Sequence, residues 1–289
     1  MACVFNRKIG VGLSMLALGV GSAHATVVLN DGGSHVFNTF SAESIVVENS
    51  TSGLPTHLEV RDGAHISDDS PEGVDISLLV EYGSSLVING GTIEQDLVGG
   101  GNSTITVNNG LMEDDLIITD LAYAAVYGGV VVDDIEVRGA ATLDFYAGEV
   151  LEDFEAVNIA TANVYGGEIH ADISAENVAE VNVYGGVIGA GSDSILESYG
   201  NGLITLFGSD FQIDGVDAVY GAITDNSGVL SGKLADGSAF EMDFERIRVG
   251  GKRGEIFLAQ IPEPASLVLL GLGCLMMVGR KSKPSDELV

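Results

Sequence analysis

Cysteine is almost missing from this 289-residue chain: Cys3 stands near its start and Cys274 in an apolar run near its end. The body between them holds no thiol, which excludes a disulfide framework, a thiolate metal centre and a cysteine nucleophile there. Basic residues are also scarce, with 12 Lys and Arg against 42 Asp and Glu for a net charge of −30. From Thr26 to Pro264 the counts are 7 basic and 40 acidic, so that stretch carries −33 (7 minus 40). Such a surface argues against nucleic acid as a partner, because binding it takes clustered Lys and Arg to displace counterions; cations or cationic surfaces fit better. Only five prolines accompany 40 glycines. That balance suits a turn-rich β protein of one or two domains rather than a disordered chain. Enzyme signatures are missing too. His35, His57, His65 and His170 are isolated in sequence, with no Gly-x-Ser-x-Gly elbow, no His-Glu-x-x-His and no phosphate loop.

What is present is a repeat. The second glycine of a Tyr-Gly-Gly-like turn falls at Gly91, Gly110, Gly129, Gly148, Gly167 and Gly186, a constant period of 19. Two apolar columns precede it at period-2 spacing: Leu86, Ile105, Ala124, Leu143, Ala162 and Val181, then Ile88, Val107, Val126, Phe145, Val164 and Val183. Two more follow it, beginning at Ile93 and Leu97, and the last of these fades in the sixth copy, where Ser192 stands. Period 2 implies strands with these columns inward. A unit this short cannot bury its apolar face alone, so stacked copies bury it for one another. The expected fold is therefore all-β, a β-solenoid (parallel β-helix) of 19-residue coils about 4.8 Å apart. A short C-terminal β region and a C-terminal apolar helix complete it. Leucine-rich and helical repeats are excluded by pattern, length and the Gly-Gly pairs.

In chain order, residues 1–25 read as a signal peptide: Arg7 and Lys8, an apolar run, and a cleavage site at Ala23-His24-Ala25. Residues 26–83 read as an N-terminal cap and irregular coils, residues 84–215 as the solenoid, and residues 216–260 as a C-terminal β region. Leu58 to Ile66 matches Leu86 to Ile93 with one inserted residue, and Val27 to Gly33 is expected to cap the first coil. After Gly186 the register slips by four at the Gly/Ser-rich run 189–202. Asp236-Gly237 marks a hairpin. Arg246, Arg248, Lys252 and Arg253 either cap the acidic solenoid or form a solvated face.

Residues 261–284 carry Pro262-Glu263-Pro264, an uncharged run from Leu267 to Gly279, and the basic cluster Arg280-Lys281-Ser282-Lys283. These three elements in this order resemble the PEP-CTERM sorting domain of exported proteins of Gram-negative bacteria. The resemblance covers the last 25 or so residues. It implies recognition by a membrane-embedded exosortase, transient residence in the inner membrane, processing at Pro262 to Pro264, and association with exopolysaccharide and biofilm or floc formation. Ala265 to Gly279 would be about 22 Å long as a helix against a hydrocarbon core of about 30 Å, a marginal span. Arg280, Lys281 and Lys283 would hold its end in the cytoplasm.

Two outward columns are candidate sites. Asp96, Asp115, Asp134, Asp153 and Asp172 are spaced by 19. Stacked carboxylates about 5 Å apart repel by about 1 kcal/mol in water and about 3 to 4 at an effective dielectric of 20. Either a divalent cation such as Ca2+ offsets that repulsion, or each Asp closes a turn by accepting backbone N–H bonds. The second column, Asn89, Asn108, Tyr127, Tyr146, Tyr165, Tyr184 and then Phe207, either stacks as a stabilising ladder or binds sugar rings. The expectation is an exported, non-catalytic protein of the cell surface or extracellular matrix. The alternative is a carbohydrate-active β-helix enzyme, a glycosidase with paired carboxylates.

Overall fold

Alternating apolar residues on either side of a recurrent glycine turn make three short strands in each 19 residues, and each strand pairs in parallel with its counterpart one coil away. Residues 26–67, 76–191 and 193–260 are described by the structure, a computed structural model, and among them every regular element is a strand. The fold is a β-solenoid. The signal-peptide residues Ala23 and Ala25, the sorting motif Pro262, Glu263 and Pro264, the apolar run with its expected helix, and Arg280, Lys281 and Lys283 lie outside the described residues.

The coils present three faces. Face A is built from Ser34–Phe37, His57–Val60, the first halves of Ser85–Ile93 and Thr104–Met112, Tyr123–Val126, Thr142–Phe145, Thr161–Val164 and Glu180–Val183, and continues through Leu203–Ile213 to Glu255–Gln260. Face B runs from Phe40–Ser41 through His65–Ile66 to Val187–Ile188. Face C runs from Val27–Leu29 through Ile45–Val47, Ile76–Val80 and Asp96–Gly99 to Ile195–Tyr199 and Ala239–Val249.

The inward columns are those the periodicity predicts. Leu86, Ile105, Ala124, Leu143, Ala162 and Val181 are wholly buried, as are the columns through Ile88, Ile93 and Leu97. The fourth column does not end at Ser192. The insertion falls between Ile188 and Ile195, so Leu196 pairs with Ile173 and restores the apolar seat. The same offset of four brings Leu203 opposite Glu180 and Leu206 opposite Val183.

Two corners turn each coil. At the first, the second glycine of each turn is left-handed, with φ from 89° at Gly167 to 134° at Gly110. The coils also approach too closely there for a side chain: a Cβ on Gly129 would sit 2.8 Å from the Gly110 carbonyl oxygen. At the second corner, Tyr82, Gly101, Asp120, Gly139, Asn158, Asn177 and Gly200 form an unbroken left-handed column, φ 54° to 70°. Gly, Asn and Asp tolerate that conformation best. Two residues later comes a column of small buried residues, Ser84, Ser103, Ala122, Ala141, Ala160 and Ala179, which lets the chain fold tightly into face A.

The two ends differ. Val27–Leu29 is a strand, as expected, but it is a rung of face C rather than a cover over it. Among the described residues, Val27–Leu29, Ser34–Phe37 and Phe40–Ser41 each pair along one edge only. At the other end the Asp236-Gly237 turn closes a hairpin of Ser227–Leu234 on Ala239–Val249. Its first strand folds antiparallel onto the end of Leu203–Ile213. Phe211, Leu230, Phe240, Met242 and Phe244 fill the space beneath.

Candidate functional site

The aspartate column lies at the corner between faces B and C, each member half-buried just before or at the start of a face C strand. The backbone N–H groups of Asp134, Asp153 and Asp172 donate to the Oδ1 atoms of Asp115, Asp134 and Asp153 at 3.0, 2.8 and 2.9 Å. Ile195 N–H donates to Asp172 Oδ1 at 2.7 Å. In return the Asp134 carbonyl accepts from Leu116 N–H, and the Asp153 carbonyl from Ile135 N–H. The carboxylates thus accept backbone N–H bonds, but from the neighbouring coil rather than from their own turn. They form clamps between coils. Burial pushes the Asp134 carboxyl up to about 6; the bond from Asp153 N–H opposes this, and the charges of Asp153, Asp115 and Asp133 add to it. Asp172 is also pushed up, chiefly by burial. Carboxylate oxygens of Asp96, Asp114 and Asp115, and of Asp115, Asp133 and Asp134, lie within 4.8 Å of one another.

Beside the clamps runs a second acidic column that the period-19 reading passed over: Glu136, Glu155, Ser174, Glu197 and Glu245 are successive partners on the outside of face C. Glu136 pairs with Arg138. Burial raises Glu155 and Glu197 above the ordinary carboxylate range, and neighbouring carboxylates add to it. The signal was present at period 19 in Glu136 and Glu155, then broken by Ser174 and the four-residue insertion.

On face A the aromatic column is a continuous stack. Ring centroids of Tyr127, Tyr146, Tyr165 and Tyr184 are 4.9, 4.9 and 5.0 Å apart with planes within 12° of parallel, and Phe207 follows at 4.2 Å. The rings cover each other's faces, so within the stack no ring face is open to a sugar. Beside it runs an amide ladder: Asn182 Nδ2 donates to Asn163 Oδ1 at 3.1 Å, and Asn163 Nδ2 to Asp144 Oδ1 at 2.9 Å. Tyr123 O–H donates to the other Asp144 oxygen at 2.7 Å. In the first two positions of the aromatic column itself, Asn108 Nδ2 donates to Asn89 Oδ1 and Asn89 Nδ2 to Glu59 Oε1, each at 2.8 Å.

Among the basic residues near the C-terminal end, Arg246 donates to the carbonyls of Gly254, Ile223 and Asp225, and Arg253 to that of Arg246. Both tie together the loops of the last coil. One surface depression is lined by Ile195, Ser227 to Val229 and Asp243 to Glu245, and another by residues of the first face A rungs from Ser34 to Asn89. Neither contains the aspartate column. Compared with protein-family models, with curated proteins and with solved structures, the chain finds no match.

Proposed function

We propose that the protein is an exported, non-catalytic β-solenoid that serves as a structural or interaction element of the cell surface or extracellular matrix. The observation that carries this reading is how the outward side chains are used. Stacked tyrosines, the Asn/Asp ladder and the aspartate clamps each bond to their own counterparts in adjacent coils, which suits a stiff rod better than a substrate cleft. The glycosidase alternative, if it rested on the aspartate column, would call for a cleft above that column, which lies outside the two depressions described above. Export and delivery rest on the leader around Ala23 and Ala25 and on the tail from Pro262 to Lys283, which resembles an exosortase-processed sorting signal. Exopolysaccharide is the partner that this resemblance implies.

Cell fractionation of a host that has an exosortase, with both chain ends mapped by mass spectrometry, tests the reading. The expected result is surface or secreted protein that starts at Thr26 and ends near Pro262 to Pro264. Surface protein that keeps its C-terminus through Val289 would refute the processing step, and protein that keeps Met1 in the cytoplasm would refute export.

A further inference from the structure

On the outside of face B, Glu149 and Glu168 stand side by side as partners in adjacent coils. Their outer neighbours in the column are Val130 and Val187, so apolar residues flank the pair along the axis. Two carboxylates side by side repel each other unless a cation lies between them. Neither bonds a counterpart in the way the aspartate clamps do. His170 faces both: its Nε2 lies 2.9 Å from Glu149 Oε1 and 3.3 Å from Glu168 Oε1. That nitrogen is shielded from solvent, yet it makes an aligned hydrogen bond to neither oxygen.

We propose that Glu149, Glu168 and His170 form a binding site for a divalent first-row transition metal of the Zn2+ class. Ligand bonds of about 2.1 Å at angles of 90° to 110° place ligand atoms about 3.0 to 3.4 Å apart, and both observed nitrogen–oxygen separations are of that order. The three ligand atoms all lie within 4.8 Å of one another. An imidazole with two carboxylates favours Zn2+ or a neighbouring transition ion over Ca2+ or Mg2+, which take oxygen ligands. The backbone around His170 is held on both sides, its N–H by the Val150 carbonyl at 3.0 Å and its carbonyl by Gly191 N–H and Ser194 Oγ, each at 2.7 Å. The main chain that carries the ring is thus fixed before any ion arrives. The three side chains remain 29 to 44% exposed, so an ion can enter and keep water at its open positions.

Titration of the purified protein with Zn2+ against a chromogenic chelator, and with Co2+ followed by its visible absorption, tests the site. One ion per chain is expected. His170→Ala should weaken binding by about tenfold or more, as should Glu168→Gln. Asp115→Asn and Asp134→Asn should leave this binding unchanged. Zn2+ should also raise the melting temperature of the unaltered protein and not that of Glu168→Gln, whose fold is checked in chelator by circular dichroism. Absence of uptake by correctly folded protein, or identical titrations for the unaltered protein and His170→Ala, would overturn the proposal and leave His170 as a structural neighbour of the two glutamates.

Discussion

At the scale of single residues the repeat is set by corners as much as by apolar columns. Gly148 has φ 120°, and a Cβ there would meet the Gly129 carbonyl oxygen at 2.9 Å. Both features penalise any side chain. Gly148→Ala should lower stability by about 2 kcal/mol, measured by urea unfolding, with little change in the slope. An unchanged midpoint would mean that the corner relaxes freely. This corner was legible because glycine is its only occupant in six coils. The second corner was hidden: its left-handed column mixes Gly, Asp and Asn and opens with Tyr82, so no single residue type repeats. The small-residue column was missed likewise, since two serines followed by four alanines carry little hydrophobic signal until the third dimension shows them wedged at a bend.

At the scale of the element, the aspartate column and the face it borders decide how the protein responds to acid. Burial raises the Asp134 carboxyl from 3.8 to about 6, so between those values the folded state binds more protons than the unfolded one. Stability then falls as pH rises through that window, and an ionised Asp134 costs stability at neutral pH. The melting temperature should therefore rise as pH is lowered from about 7 to about 5. Asp134→Asn keeps an oxygen to accept Asp153 N–H while removing the charge. It should flatten part of that rise and add about 1 kcal/mol at neutral pH, allowing for solvent screening of a half-exposed group. Asp172, Glu155 and Glu197 shift in the same direction, so some slope should persist. A melting temperature that drops over this range would show that the ionised column stabilises the fold. The position of the column was legible at period 19; that each carboxylate serves the next coil was not, because sequence spacing cannot tell a bond within a turn from one between turns.

At the scale of the whole molecule, nearly every contact in the rod joins one coil to the next, so the structure is close to one-dimensional. The N-terminal rungs and the repeat block were readable because Leu58 pairs with Leu86 as their matching segments require. The closing hairpin was readable only as a hairpin. Its docking depends on a return antiparallel to Leu203–Ile213, a contact that no repeat encodes. One-dimensionality has a direct consequence for deletions. Removing residues 161–179, one full period, joins Glu180 to the end of the preceding coil and sets Leu143 against Val181, Phe145 against Val183 and Gly148 against Gly186. Tyr146 would then stack on Tyr184, and Asp153 Oδ1 would meet the N–H of Ile195 in place of that of Asp172. Every column continues, one member shorter. This variant should remain folded, with the β circular dichroism of the parent and a single, modestly lower melting transition. Removing only 161–169 deletes half a turn and sets the face A strand Glu180–Val183 against the face C strand Phe154–Ala156, so it should abolish cooperative unfolding. If the full-period deletion behaved as badly as the half-period one, the coils would not be the interchangeable units that their ladders describe.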